Sequence, residues 1–456
     1  MSLNARLAGL RRSTHARAAA GASAWSVGGY AATTVLRFTS RIVLAKLLPD
    51  AGPIGTVAVI ATILGGLELI SDLGIGANVI QHKRGGEPAF LGTAFTFQAV
   101  RGIALWIVAS AIAYPLSWLY HDRTVAPLLL FGSLGVLFRC LISPALSLMS
   151  RNLQLRIPTL ISFTSEVIGF AVTVVWAIEA PSAWAMVAGS VITSACYAVG
   201  SHLFSARIRL AWDREAARSI VHFGAWILVG TAAWFLSSRG ETLMLKGSVP
   251  DIAFGCFAFA SMLVSTPTTA FTQLGNQVFL PMMSRWLRDD PIAAPRQYAR
   301  ARWAFTALAL CWAGGAILLG PLLVKLLRLN ASFSGLGWMV QFLGFRAALD
   351  VLATPLSGLL LATGSSKLSA RASTVRLLAM MAGLAMTVPR WGLHGAILAL
   401  CAAALVSYLA MLPGTNRLLP GVARLELGNF AIFLVGSTAI VLGASFTSVA
   451  LPWGAL

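Results

Sequence analysis

The stretch Val35-Leu36-Arg37-Phe38-Thr39-Ser40-Arg41-Ile42-Val43-Leu44 places two arginines inside an otherwise apolar run, residues 21 to 48. Because Arg37 and Arg41 are four residues apart, both guanidinium groups lie on one face of a helix. Polar side chains precede them at the same spacing, at Ser26, Tyr30 and Thr33. A charge at membrane depth costs from roughly 2.5 to more than 10 kcal/mol, so it is tolerated only facing protein or a water-filled cavity. The stretch predicts a membrane helix with one polar face.

The composition of the chain indicates a polytopic membrane protein. Of its 456 residues, 57% are hydrophobic and 11% are charged, whereas soluble domains typically carry about 25% charged residues. The apolar runs are about 20 residues long, which is the length of a membrane-spanning helix. The expected fold class is therefore an all-α polytopic membrane protein.

Apolar runs bounded by proline, glycine and charge predict thirteen spans. They lie near residues 21 to 48, 53 to 81, 90 to 119, 125 to 149, 157 to 178, 182 to 206, 220 to 246, 252 to 283, 301 to 324, 334 to 362, 368 to 389, 391 to 412 and 429 to 450. The predicted domains are a basic cytoplasmic N-terminus (1–20), an N-terminal six-helix lobe (21–206), an inter-lobe loop (207–219), a C-terminal six-helix lobe (220–412), and a basic loop with one extra helix (413–456).

The distribution of basic residues predicts the orientation. With a cytoplasmic N-terminus, about 21 Lys and Arg residues fall on the cytoplasmic side and about six on the outer side, as the positive-inside rule expects. The net charge of +19 is explained by this topology. The basic residues are dispersed among short loops without interleaved aromatics, so nucleic acid is not an expected partner.

The chain also repeats itself weakly. A shift of 201 positions superposes Pro49-Asp50 on Pro250-Asp251 and Leu73-Gly74 on Leu274-Gly275, and it places Arg101 on Arg302. Such coincidences of proline and glycine indicate two related halves. An even number of spans in each half gives both the same orientation, so we expect a parallel pseudo-twofold axis along the membrane normal, with the substrate path between the lobes.

The charges inside the predicted spans are the candidate site residues. The basic ones are Arg37, Arg41, Arg101, Arg139, Arg239, Arg346 and Arg376, and the acidic ones are Glu68, Asp72, Glu166, Glu241 and Asp350. The acids serve either as coupling sites for protons or sodium or as salt-bridge partners. We interpret Arg346 with Asp350 and Arg239 with Glu241 as neutralising pairs, because each pair is close in sequence.

Depth along the membrane suggests a further pair. At about 1.5 Å per residue, Arg37 and Glu68 lie at similar depths, so they are a candidate pair. Since Arg41, Arg101 and Arg139 have no acid near them in sequence, we expect a cationic surplus of at least two. Such a surplus suits an anionic substrate, because a guanidinium binds phosphate oxygens in bidentate fashion and stays charged. Asp72 is also a candidate cap at a bend near Gly74.

The eighth span has a face of uncharged polar side chains. Thr269, Gln273 and Asn276, with Ser265, Thr272 and Gln277, recur at helical spacing. This face is either a surface for sugars or ordinary polar packing between membrane helices. No phosphate-binding loop, catalytic triad or metal-ligand cluster appears, so the sequence predicts no enzyme activity, no cofactor and no metal site.

Several short motifs resemble a known family. Ser71-Asp72-Leu73-Gly74-Ile75-Gly76-Ala77-Asn78-Val79-Ile80-Gln81, then Thr93-Ala94-Phe95-Thr96, resembles the second-to-third-span junction of Wzx-type polysaccharide flippases, especially the exopolysaccharide branch typified by colanic acid. His222-Phe223-Gly224 and Leu236-Ser237-Ser238-Arg239 resemble the start of that family's second lobe. Arg41 and the residues after it resemble the first helix of lipid II flippases.

The resemblance implies a V-shaped, two-lobed bundle of the multidrug, oligosaccharidyl-lipid and polysaccharide exporter superfamily. It further implies a substrate, an undecaprenyl-diphosphate-linked oligosaccharide, carried to the outer leaflet of the bacterial plasma membrane, with polysaccharide polymerase and export proteins as further partners. The thirteenth hydrophobic run departs from the family pattern. The family's arginines correspond only to Arg37 and Arg41.

Two other functions remain as alternatives to a polysaccharide flippase. One is a cation-coupled multidrug exporter, which favours an acidic cavity. The other is a membrane glycosyltransferase or polymerase, which needs a large outer loop or acid cluster that the chain lacks.

Overall fold

The computed structural model describes residues 25, 27–72, 74–152, 154–215, 217–218, 235–274, 279–289 and 293–446. Within these ranges the chain forms helices and no β-strand, and the all-α polytopic fold class is confirmed. The first helices are α1 (residues 27–47), α2 (Gly52–Ile70), α3 (Ile75–Gln81), α4 (Pro88–Leu119), α5 (Val125–Cys140), α6 (Ala145–Arg151), α7 (Arg156–Glu179) and α8 (Ala183–Leu203). The later ones are α9 (residues 235–245), α10 (Asp251–Leu274), α11 (Leu280–Asp289), α12 (Ala294–Leu327), α13 (Leu336–Ala362), α14 (Ser366–Leu418) and α15 (Val422–Phe446).

Among the described residues, nine helices are long and apolar enough to cross a membrane, or ten if α5 and α6 together form one span. The 53 residues of α14 would extend about 80 Å as a straight helix, far more than a bilayer needs. Gly392, at φ 53°, folds α14 back on itself, so that Gly383 abuts Ala399 and Gly414 abuts Leu368. With α14 read as two antiparallel helices, helices overlap all thirteen predicted spans.

Two of the predicted spans are interrupted. After α2 ends, Gly74 adopts φ 62° before α3 begins, a left-handed conformation that glycine reaches without a Cβ clash. Between α5 and α6 the chain bends by 51°, where Pro144 disfavours a helical conformation for the residue before it. The predicted spans 53 to 81 and 125 to 149 therefore each consist of two helices, which are divided at a glycine and at a proline, respectively.

The contacts divide the chain into two compact units, Met1–Leu48 with Ile63–Ala232, and Pro49–Thr62 with Ala233–Leu456. In the first unit, the extended segment 206–213 lies along the start of α4. The Thr96 hydroxyl donates to the Ala211 carbonyl at 2.9 Å, and the Asp213 N–H donates to the Thr93 hydroxyl at 2.9 Å. The beginning of the predicted inter-lobe loop is thus an ordered part of the first unit.

Arg84 fastens the end of this segment. Its guanidinium binds Asp213 at 2.8 Å, Glu215 at 2.6 Å and Glu87 at 2.8 Å. Hydrogen bonds to Glu87 and Asp213 raise the pKa of Arg84 above its ordinary value. The side chain therefore stays charged and can hold all three acids at once.

The second unit contains a fully buried polar network that includes the last helix. Glu426 of α15 accepts hydrogen bonds from Arg302 at 2.7 Å, Tyr298 at 2.6 Å and Tyr408 at 2.7 Å. Both charged side chains are 0% exposed. Because a buried carboxylate is stable only when its oxygens are paired, this contact joins α15 to α12 and α14.

Arg302→Ala and Glu426→Ala are each expected to lower the free energy of unfolding by about 3–5 kcal/mol, because either change leaves a buried charge without its partner. The measurement is thermal unfolding of the detergent-solubilised protein. Arg424→Ala is the matched control, since Arg424 lies exposed half a turn from Glu426 on the same helix. If Arg302→Ala and Arg424→Ala unfold at the same temperature, the network does not hold α15.

Candidate functional site: arginines at membrane depth

The first charged contact of the first unit joins α1 to α7. The Arg37 Nε donates to the Glu166 carboxylate at 2.8 Å, and the Arg37 side chain is 57% exposed against 17% for Glu166. Arg41 lies one helical turn further along and is half-buried. The predicted pair of Arg37 with Glu68 is wrong. The rise per residue gives the depth of Arg37 and Glu68 in the membrane, but it does not show which helices are neighbours. The acid that binds Arg37 is Glu166 of α7.

The second contact joins α2 to α5. The Arg139 Nε donates to the Glu68 carboxylate at 2.6 Å, and its Nη1 donates to the Ser194 hydroxyl at 3.1 Å. Arg139 is itself 40% exposed. Arg139 has no acid near it in sequence because its acidic partner lies on another helix, 71 residues away.

The third contact closes the gap between α2 and α3. Arg101 of α4 donates to the Ser71 hydroxyl at 2.9 Å, to Asp72 at 3.2 Å and to the carbonyl of Glu68. Asp72 also accepts the Gly74 N–H at 3.2 Å, which is the bend-capping role considered from the sequence. Asp72, the acid that Arg101 binds, is 29 residues away in sequence. The Arg101 guanidinium thus donates hydrogen bonds to the Glu68 carbonyl and the Asp72 carboxylate at the C-terminal end of α2.

Two of these contacts are connected, because Glu68 binds Arg139 through its side chain and Arg101 through its backbone, whereas Arg37 and Glu166 form a separate pair. Among the candidate charges of this unit, the four arginines exceed the three acids by one. The guanidinium groups of Arg37 and Arg139 are substantially exposed, so a phosphate oxygen can take the place of a carboxylate oxygen. Chemically, the arrangement can bind and release an anion.

The second unit uses its charges differently. Arg346 binds Glu241 of α9 at 2.7 Å, and Arg376 binds Asp350 at 2.6 Å. The predicted pairs of Arg346 with Asp350 and of Arg239 with Glu241 are therefore wrong. Each charge on α13 finds its partner on a different helix, and Arg239 is exposed and forms no ion pair with Glu241 in the described part of the chain.

The polar face predicted on the eighth span is partly described. Thr269 is exposed, and its hydroxyl donates to the Ser265 carbonyl of its own helix at 2.8 Å. The Gln273 side chain and Asn276 lie outside the described residues. A sugar-binding role for this face stays a prediction.

Sequence reasoning missed Ser71 and Ser194, whose hydroxyls bind Arg101 and Arg139. Serines are common in membrane helices, so nothing in their spacing distinguishes these two. Among the residues that the structure describes, no group of three His, Cys, Asp or Glu side chains is placed to hold a metal ion.

The fold, with arginine–carboxylate pairs inside long apolar helices, defines a multi-pass helical membrane protein. Residues 43–329 match the polysaccharide biosynthesis protein family, and the chain belongs to this family. The recognition of the polysaccharide flippase superfamily from short motifs is thereby confirmed.

Three relatives illustrate the similarity. An uncharacterized membrane protein in the cps region of Klebsiella pneumoniae is 21% identical over 402 residues, covering 85% of this chain and 81% of the relative. The structure of the lipid II flippase MurJ in an inward closed conformation has a TM-score of 0.69 at 13% identity, covering 92% and 98% of the two chains. An inward-facing MATE family multidrug transporter has a TM-score of 0.60 at 15% identity, covering 92% and 96%.

The two kinds of ion pair are expected to differ in their effect on stability. Glu241→Ala is expected to lower the free energy of unfolding by about 3–5 kcal/mol, because its side chain and that of Arg346 are 8% and 12% exposed. Glu166→Ala should cost about 1 kcal/mol or less, since Arg37 remains hydrated. Thermal unfolding of the two variants in the same detergent checks this. Similar losses for both would mean that the Arg37 pair is as structural as the Arg346 pair.

Proposed function

We propose that the protein is a flippase that moves undecaprenyl-diphosphate-linked oligosaccharide repeat units from the cytoplasmic to the outer leaflet by alternating access, for exopolysaccharide or capsule assembly. The observation that carries the proposal is the set of exposed arginine–carboxylate contacts at membrane depth in the first unit. A diphosphate is a strong competitor for such guanidinium groups. The shared family, the cps-region relative and the MurJ-like fold support the same class of substrate.

The proposed roles follow the charges. Arg37 and Arg41 bind the diphosphate, and Arg139 and Arg101 contribute to the positive field around it. Arg239 is a further candidate for binding the diphosphate, and the polar face with Thr269, Gln273 and Asn276 accommodates the oligosaccharide. Glu68 and Glu166 orient the guanidinium groups of Arg139 and Arg37 while the site is empty, and the substrate diphosphate then competes with these carboxylates.

The proposed location is the bacterial plasma membrane, with the N-terminus in the cytoplasm, on the basis of the Lys and Arg distribution. Polysaccharide polymerase and export proteins are proposed as further partners, because the flipped unit has to be consumed on the outer side.

The double variant Arg37→Ala/Arg41→Ala is expected to lower transport by about tenfold or more, since hydrogen bonds to charged groups contribute about 1.5–3 kcal/mol each. Transport is measured as translocation of lipid-linked oligosaccharide in proteoliposomes and as polymer at the surface of a deletion strain. Lys46→Ala is the matched control, because Lys46 is an exposed cation on the same helix. If the double variant, inserted at normal levels, still restores surface polymer, the diphosphate role is wrong.

The competing function, cation-coupled drug export, predicts another phenotype. Deletion of the gene is expected to abolish surface polysaccharide while leaving drug susceptibility unchanged, because a basic site disfavours cationic drugs. Minimum inhibitory concentrations and surface polymer are measured on the same strains. An altered drug profile with intact polysaccharide would favour the exporter.

A further inference from the structure

A cavity of about 340 Å³ lies between the first part of α1 and the start of α7 in the first unit. Its lining is almost entirely apolar and consists of Trp25, Gly28, Gly29, Ala32, Thr159, Leu160 and Phe163. Gly29 lets the two helices meet, since a Cβ there would fall 2.0 Å from the Thr159 methyl group. A Cβ at Gly28 would have no atom within 4 Å. The two helices are therefore in contact at Gly29, while the space beside Gly28 is open, and a narrow groove remains between them.

A guanidinium stands at the end of this groove. Arg156, the first residue of α7, lies over the Trp25 ring, with Cζ 5.5 Å from the ring centroid. Arg156 is exposed, and no carboxylate in the described part of the chain forms an ion pair with it. The N–H groups of a guanidinium lie in its plane, and a ring stacked on its face does not accept hydrogen bonds from them. Arg156 can therefore contact the Trp25 ring and bind an anion at the same time.

The groove leads toward the charged contact described above. Along α7, Thr159 and Glu166 are seven residues apart, which is about 10 Å. Along α1, Ala32 and Arg37 are about 7.5 Å apart. An apolar groove therefore lies between a guanidinium at the helix end and the Arg37–Glu166 pair further into the membrane.

We propose that this groove is the loading site for the lipid-linked substrate, with Arg156 over Trp25 binding the diphosphate and the cavity taking the first isoprenoid units. The inference rests on the proposed function. The charge of Arg156 complements a diphosphate, and the apolar lining complements a hydrocarbon chain. A single hydrocarbon chain suits a groove that is one helix gap wide, whereas a bulk phospholipid carries two chains on one headgroup.

The first test fills the groove. Ala32→Phe, and separately Gly28→Leu, are expected to weaken binding of undecaprenyl diphosphate to the nanodisc-embedded protein by about tenfold, since an added side chain displaces the hydrocarbon. Val27→Phe is the matched control, because Val27 is 69% exposed on a different face of α1. Two filling variants guard against misfolding of either one, and both are first checked for monodispersity.

The second test separates headgroup from tail. Arg156→Gln is expected to weaken undecaprenyl diphosphate about tenfold and to leave undecaprenol unchanged, because only the former carries the charge. Lys83→Gln, at an exposed loop cation, is the control. The filling variants should weaken both probes. An excess of phosphatidylglycerol should not displace undecaprenyl diphosphate, and equal displacement would mean that the groove holds bulk lipid.

Transport by the wild-type protein is measured in parallel to keep the two proposals apart. If lipid-linked oligosaccharide is translocated while Ala32→Phe, Gly28→Leu and Arg156→Gln bind like their controls, the loading site is wrong and the flippase function stands. If the wild-type protein neither binds nor translocates the substrate, the proposed function is wrong and the loading site is overturned with it.

Discussion

The requirement that charges within a bilayer be neutralised determines which helices are neighbours. Each of the five acids in the predicted spans is bound by an arginine that belongs to another helix. The pairs join α1 to α7, α2 to α5, α4 to the gap after α2, α9 to α13, and α13 to α14. Since apolar packing between membrane helices is weakly directional, these directional contacts select one arrangement from several of similar hydrophobicity.

The ion pairs fall into two groups by exposure. Buried pairs stabilise the fold, whereas exposed pairs have arginines that a ligand can reach. Arg302 and Glu426 are fully buried, so their attraction is screened little and no ligand can reach them. Arg37 and Arg139 form the same kind of pair, but their side chains are 57% and 40% exposed. In a hydrated site, exchange of a carboxylate for a phosphate costs little, because both are oxygen anions that a guanidinium binds in the same geometry. Accessibility, more than pairing, therefore marks the site.

The sequence predicted the helices and the relevant charges but not their partners. Composition and run length suffice for the helices, because the bilayer requires a standard length of apolar residues. The Gly74 bend was visible in the motif around Asp72. The partners of Arg37 and Arg139 were not, since residue spacing gives depth along one helix and carries no information on which helix lies beside it. The pairs inferred from closeness in sequence failed for the same reason.

The weak repeat explains why the last helix is needed. Arg101 and Arg302 correspond at a shift of 201, and an arginine cannot lose its charge, so each requires an acid. Arg101 finds Asp72 at the gap after α2, but the position equivalent to Asp72 is Gln273, and the equivalent of Glu68 is Thr269. The second half has exchanged both acids for uncharged polar residues, and its arginine is neutralised by Glu426 from α15. A helix without a counterpart in the first half thus supplies the missing charge, so that α10 needs no carboxylate at positions 269 and 273 to neutralise Arg302.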